Sequence, residues 1–237
     1  MHPSLKSTRH QMAESQQDQD FTVSEAIGKT EHFINQNKKS LGIIFGAVII
    51  AIGGYVFYQN VYVANKEKEA QQVLFHAEQY LFADSLKLAI NGDGKNPGLE
   101  EIASDYSVSQ SGNLARYYLG MAYLKSGEFE KAIEALKSYD AKDEMTGSLV
   151  AGAIGDAYSE LKNTDEAISF YEKASKDHPN SFSTPIMLMK LGVANEVKGN
   201  WDGAKSAYEL IKKDYPTSNE GTQADKYIAR AEAMMVK

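Results

Sequence analysis

The sequence predicts an all-α protein in which a single N-terminal transmembrane helix is followed by a solenoid of repeated helical hairpins. Two observations predict this class. Residues 40–65 contain no Asp, Glu, Lys or Arg, and a pattern of small, aromatic and proline residues recurs between residues 113 and 218. A long charge-free stretch suits the interior of a bilayer, and a repeat of fixed period is typical of stacked helical hairpins.

Composition excludes several classes of function. The net charge of the chain is −7, and residues 66–237 carry all of it. An acidic domain without basic clusters argues against nucleic acid as a partner. The chain has no cysteine, which excludes disulfides and thiol catalysis.

The N-terminal residues precede the apolar stretch. Residues 1–20 are polar and are predicted to form a disordered tail. Thr22 and Glu25 then fit a capping box, and apolar residues recur at helical spacing after it. Residues 21–39 are therefore predicted to form a short cytoplasmic amphipathic helix that ends near Asn35–Asn37.

Residues 40–64 are predicted to form the transmembrane helix. The 18 residues Leu41–Tyr58 include 10 that are Leu, Ile, Val or Phe, and as a helix they rise about 27 Å, close to the hydrocarbon thickness of a bilayer. A buried core helix would carry a polar stripe, and a cleaved signal peptide would lie nearer the N-terminus. Because Lys38 and Lys39 directly precede the span, we expect the N-terminus to be cytoplasmic and the C-terminal part to be translocated.

Three glycines share one face of this span. Small residues let two helix backbones approach closely within lipid, so these glycines are candidates for helix packing, although glycine is also common in membrane helices generally. They are Gly42, Gly46 and Gly53.

Residues 65–112 are predicted to form a divergent leading hairpin. A long helix is expected from Asn65 through Asn91 because apolar residues recur along it at helical spacing. Residues 91–98 are rich in Asn, Gly, Asp and Pro and predict a turn. A short return helix is expected from Leu99 to Tyr106.

Three copies of one pattern follow over residues 113–218. Leu119-Gly120 recurs 35 residues later as Ile154-Gly155 and, 37 residues after that, as Leu191-Gly192. Small residues and aromatics follow in the order of the tetratricopeptide repeat, whose nominal period is about 34 residues. The terminal proline is present in the second and third copies as Pro179 and Pro216, whereas the first copy has Glu144 there. Glycine allows the two helices of a hairpin to touch, and proline ends the second helix. Residues 219–237 are predicted to be a capping helix.

The first helices of such repeats line a concave groove. The residues at the groove positions of the first and third copies are mostly apolar, which suits binding of a partner or client polypeptide. The alternative is that the leading hairpin or the cap covers them. The candidates are Leu114, Tyr117, Met121, Leu124, Met189 and Val193.

The sequence contains no set of residues whose spacing suits catalysis or metal binding. None of the histidines pairs with another at a spacing suited to metal binding, and no Ser-His-Asp arrangement can be assembled. The sequence therefore predicts a protein that is not an enzyme, with no catalytic residues, no metal, no cofactor and no small-molecule substrate.

The N-terminal arrangement resembles one known family. The segment His32-Phe33-Ile34-Asn35-Gln36-Asn37-Lys38, the glycine-rich span, the aromatics of Tyr55–Tyr58 and the divergent leading hairpin are similar to the bacterial YfgM-type membrane-anchored tetratricopeptide proteins. The resemblance covers residues 21–237. It implies a single-span inner-membrane protein with a periplasmic solenoid, associated with the SecYEG translocon and with a membrane-anchored periplasmic chaperone of the prolyl-isomerase type.

The leading hypothesis is thus a non-enzymatic, membrane-anchored adaptor or chaperone-like subunit at the export translocon. It would present its solenoid to a partner chaperone or an emerging polypeptide. The alternative is a structural scaffold or assembly factor of another cell-envelope complex.

Overall fold

The computed structural model describes the backbone of residues 5–177 and 179–236, and it describes side chains from residue 30 onward except at Glu144. All regular secondary structure in these residues is helical, which confirms the predicted all-α class. The chain divides into two compact units, residues 1–62 and residues 63–237.

The first unit consists of helix α1 (Leu5–Phe57), and a π-helical turn (Tyr58–Val63) follows it in the chain. The predicted helix end near Asn35–Asn37 is wrong, since α1 continues through it. Residues 5–20, predicted as a tail, are helical as well, whereas residues 1–4 lie outside the described residues. No Pro or Gly occurs between Leu5 and Ile27, and Gln is the commonest residue there, so nothing in this segment ends a helix.

The apolar stretch lies in the C-terminal part of α1. By length and composition, one helix in the described part of the chain is able to cross a membrane, and none of its most apolar segment is buried. The rings of Tyr58 and Tyr62 stack at 5.3 Å within the π-helical turn. An exposed apolar surface on a helix of this length is what lipid would cover.

The leading hairpin begins the second unit and comprises α2 (Ala64–Phe82), α3 (Leu86–Asn91) and α4 (Leu99–Asp105). The expectation of one helix from Asn65 to Asn91 is wrong, because Asp84 adopts a left-handed backbone with φ 57°. The N–H of Ser85 donates to the Tyr80 carbonyl at 2.8 Å, and the N–H of Asp84 donates to the Leu81 carbonyl at 3.0 Å. These two bonds form a Schellman motif, which ends α2.

The repeat region forms three helical hairpins and a final helix. Each hairpin has a first and a second helix, and a 3₁₀ turn (Gly221–Gln223) precedes the last element. The hairpins are α5 (Gln110–Ser126) with α6 (Phe129–Ser138), α7 (Glu144–Glu160) with α8 (Thr164–Lys176), and α9 (Thr184–Lys198) with α10 (Trp201–Asp214); the last helix is α11 (Ala224–Met235).

A glycine brings the two helices of each hairpin into contact. A methyl group at Gly155 would lie 2.7 Å from the Tyr171 ring, and one at Gly192 would lie 2.2 Å from the Tyr208 ring. In the first hairpin, Gly120 meets Leu136 in the same way, at 2.5 Å. Each glycine thus makes room for a large buried side chain of the second helix, as the repeat pattern predicts.

Three apolar clusters run along the second unit. The first joins the leading hairpin to α5 and α6, the second joins α6 to α7, and the third joins α7 and α8 to α9, α10 and α11. Each cluster is shared by consecutive elements, which is how repeat arrays bury a continuous core.

Candidate functional site on the first helices of the repeats

The predicted groove residues lie on α5 and α9. We call the surface formed by these six residues and by three residues of α7, Asp156, Ser159 and Glu160, the first-helix face. Schellman motifs end these helices. In α5 the motif places Gly127 at φ 82°, and in α9 it places Gly199 at φ 79°. Helices α5, α7 and α9 are 15 to 17 residues long, which corresponds to about four turns each.

An apolar cavity of about 330 Å³ opens on α5. Two of the predicted residues, Met121 and Leu124, line it, so the structure brings these two together. Leu81 and Leu86 of the leading hairpin contribute the opposite wall, and Tyr118, Ala122 and Lys125 complete the lining. The leading hairpin therefore forms a wall of this cavity and leaves it open.

The other four predicted residues do not line this cavity. Leu114 is half-buried against the first cluster, and Tyr117 packs between the rings of Tyr118 and Tyr139, at 5.7 and 5.6 Å. On α9, Met189 is half-buried against the third cluster, while Val193 is 43% exposed. The role of all six residues in binding remains a prediction.

A polar cavity of about 490 Å³ adjoins the apolar one, since Leu124 and Lys125 line both. Its polar wall comes from α7, α8 and α9. The carboxylate of Asp156 accepts both of its contacts with the Lys190 ammonium, at 2.8 and 2.7 Å, and accepts a hydrogen bond from the Tyr171 hydroxyl at 2.8 Å. Burial, together with the Asp156 carboxylate, raises the pKa of Tyr171 well above its usual value, so the tyrosine remains a donor at physiological pH.

A second arrangement of the same kind lies further along the chain. Glu196 of α9 accepts a hydrogen bond from Tyr208 at 3.0 Å and pairs with Arg230 of α11 at 2.6 Å. In both arrangements the carboxylate and the cation are 34 residues apart. Sequence reasoning missed these pairs, although opposite charges separated by one repeat period were the available signal.

Side chains able to bind a metal are not grouped in the part of the chain that the structure describes. No group of three or more His, Asp or Glu side chains lies close enough to hold a metal ion there. His76 packs edge-on against Phe75 at 5.8 Å, and His32 contacts Gln36 at 2.9 Å; His178 lies outside the described residues. The first-helix face is suited to binding through shape, apolar contact and charge.

The membrane-span glycines are placed along α1. A methyl group added at Gly42, Gly46 or Gly53 would meet no atom within 4 Å in a single chain, apart from its chain neighbours and the backbone of its own helix. There is therefore room for another helix at this stripe, and its packing role stays a prediction.

Comparison with known proteins identifies the repeats. Tetratricopeptide-repeat family models match residues 99–144, 150–176 and 187–218, and no curated protein matches the chain. Among 18 matching chains of solved structures, one titled "Crystal structure of MamA" is 22% identical, covers 52% of this chain and 78% of its own, and has a TM-score of 0.38. Likeness at this level carries no argument about function, and none of the comparisons points to the YfgM-type family in particular. The family models nevertheless show that this chain contains tetratricopeptide repeats between residues 99 and 218.

Proposed function

We propose that this protein is a membrane-anchored adaptor that holds a partner chaperone or an emerging polypeptide on its first-helix face. The open apolar cavity formed by Met121 and Leu124 with Leu81 and Leu86 carries the proposal. Tetratricopeptide proteins are generally non-enzymatic scaffolds for protein–protein interaction, and pliable methionine and leucine side chains suit varied apolar contacts.

We further propose where in the cell the protein acts and which proteins it associates with. The resemblance of residues 21–237 to YfgM-type proteins supports association with the SecYEG translocon and with a periplasmic chaperone of the prolyl-isomerase type. It also supports a location in the bacterial inner membrane with the repeats in the periplasm. Lys38 and Lys39 before the span favour the same orientation.

Orientation can be tested directly because the chain has no cysteine. Ser15→Cys and Ser181→Cys place single thiols on opposite sides of the span. A membrane-impermeant maleimide applied to spheroplasts is expected to label the Ser181→Cys chain alone, with both chains labelled after lysis. Labelling of the Ser15→Cys chain alone in intact spheroplasts would reverse the proposed topology.

Partner binding can be tested with photo-crosslinkers at Met121 and Val193, using exposed Ser206 of α10 as the control position. We expect the first two positions to capture translocon-associated chaperone and several unrelated exported chains, and Ser206 to capture few. Capture of one fixed envelope protein would instead support the alternative, a scaffold of another envelope complex. Equal capture at all three positions would contradict binding at the first-helix face.

A further inference from the structure

The two cavities of the first-helix face form one continuous surface of unlike halves. Leu124 and Lys125 line both cavities. On one side the lining is almost wholly apolar, and on the other Asp156, Ser159, Glu160 and Lys190 contribute polar atoms. A ligand that spans the shared rim must therefore present an apolar group and a polar group a short distance apart.

The charges on this surface decide which polar group fits. Four charged residues line the two cavities: Lys125, Asp156, Glu160 and Lys190. Lys125 pairs with Asp84 at 2.6 Å, and Lys190 pairs with Asp156 at 2.7 Å. Among the residues that the structure describes, Glu160 has no ion-pair or hydrogen-bond partner for its exposed side chain. An anion would have to displace a carboxylate from one of the lysines, whereas a cation meets an uncompensated carboxylate.

We propose that the first-helix face selects polypeptide segments in which a large apolar side chain enters the cavity at Met121 and a nearby Lys or Arg pairs with Glu160. This inference rests on the proposed function and names the chemistry of the client segment. An extended peptide rises about 3.3 Å per residue, so separations of two to five residues span roughly 7 to 17 Å across the shared rim.

The test uses the full chain in detergent micelles and fluorescent peptides with blocked termini. Each peptide carries one Leu in a Gly-Ser background and one Arg two to five residues away, in both orders. Matched peptides carry citrulline or Glu instead of Arg. We expect the best Arg peptide to bind about two- to fivefold more tightly than its citrulline partner, as suits one exposed ion pair, and the preference to shrink as salt rises.

Two variants assign the effect. Glu160→Gln is expected to abolish the preference for Arg, whereas Glu166→Gln, an exposed change on α8 outside both cavities, should leave it intact. Met121→Ser should weaken all peptides alike. Far-ultraviolet circular dichroism verifies that each variant keeps its helices.

The outcomes separate the two proposals. Peptide binding that depends on Met121 but ignores charge, or a preference that survives Glu160→Gln, overturns the charge selection and leaves the adaptor function standing. If no peptide binds and Met121 also captures nothing in cells, both proposals fail together.

Discussion

At the scale of single residues, two glycines of α7 give opposite predictions. Gly155 sits against the buried Tyr171 ring, where a methyl group would lie 2.7 Å away. Gly155→Ala therefore forces the ring or the helix to shift, and we expect a loss of about 1–3 kcal/mol in the free energy of unfolding, as in other overpacked cores. Urea denaturation followed by circular dichroism measures this loss.

Gly147, two turns earlier in the same helix, is the matched control. A methyl group there meets only the Ala141 side chain, at 3.7 Å, which is an ordinary contact. Because alanine favours a helix over glycine by up to about 1 kcal/mol, Gly147→Ala should be neutral or stabilising. Equal destabilisation by the two substitutions would show that crowding by Tyr171 is not the cause.

Lys162 ends α7 in a conformation that suits glycine better. Its φ is 59°, and the Asn163 N–H donates to the Tyr158 carbonyl at 2.9 Å. This is the Schellman position that glycine occupies at residues 127 and 199 in the neighbouring repeats. In the left-handed conformation the Lys162 Cβ lies too close to the following carbonyl oxygen, and Lys162→Gly removes this contact. We expect the midpoint of urea denaturation to rise by an amount equivalent to roughly 0.5–1 kcal/mol in unfolding free energy. Lys162→Ala, which keeps a Cβ, should give no such gain.

At the scale of elements, the repeat helices were predictable because their contacts demand particular residue types. Gly155 and Gly192 must be small for Tyr171 and Tyr208 to fit, so the pattern survives in the sequence. The break between α2 and α3 was not predictable in this way, since Asp84 takes a backbone conformation usually reserved for glycine.

The candidate site was predictable only in part, for the same reason. Met121 and Leu124 follow from their repeat positions. Leu81 and Leu86, which form the opposite wall, belong to a hairpin without a repeat motif, and their placement depends on the turn at Asp84. The pairing of Asp156 with Lys190 depends on how successive hairpins stack, which periodicity within one helix does not reveal.

Glu67 connects the leading hairpin to the first repeat. Its carboxylate accepts hydrogen bonds from the Ser111 N–H at 3.0 Å and from the Ser111 hydroxyl at 2.7 Å, at the N-terminal turn of α5. Burial raises the pKa of Glu67, but the hydrogen bonds from Ser111, together with those from the Gln71 side chain and the Gln110 backbone, outweigh burial and hold the pKa below its ordinary value of 4.5. The carboxylate thereby accepts a hydrogen bond from a backbone N–H that has no partner within α5, and its negative charge interacts favourably with the positive end of the α5 dipole.

A lowered pKa in the folded state makes this contribution depend on pH. The stabilisation by Glu67 is fully present above the unfolded-state pKa and is lost as the pH falls through the folded-state pKa. We expect the difference in unfolding free energy between the natural chain and Glu67→Gln to shrink from about pH 6 to pH 3. Thermal denaturation at a series of pH values measures it.

Glu69 supplies the control for this prediction on the same helix. Its side chain is 60% exposed and its nearest cation, Lys66, lies 3.9 Å away, so Glu69→Gln should change stability little at any of these pH values. A difference for Glu67→Gln that stays constant across the range would mean that the hydrogen bonds, and not the charge, stabilise the junction.

At the scale of the whole molecule, each repeat depends on its neighbours. Asp156 of α7 pairs with Lys190 of α9, and Glu196 of α9 pairs with Arg230 of the final helix α11. A buried tyrosine hydroxyl donates to each of the two carboxylates. The carboxylates are therefore held by two partners on different helices. A binding surface that spans several helices requires this kind of restraint, because each repeat contacts only the next one.

The last prediction concerns the proposed membrane anchor. Ile44 and Ile49 are 59% and 55% exposed on α1, as expected for side chains that lipid would surround. A lysine at mid-bilayer opposes insertion by roughly 2.5–3.5 kcal/mol, whereas a single apolar residue favours insertion by much less. The double change Ile44→Lys and Ile49→Lys therefore outweighs the contribution of several apolar residues. We expect the natural chain to remain in the membrane pellet after carbonate extraction and the lysine variant to leave it, with Ile44→Leu and Ile49→Leu retained as the control. Since Gly42 and Gly46 are untouched, loss of the lysine variant from the pellet would reflect failed insertion into lipid. Recovery of the natural chain in the soluble fraction would contradict the proposed anchor, and with it the proposed place of action.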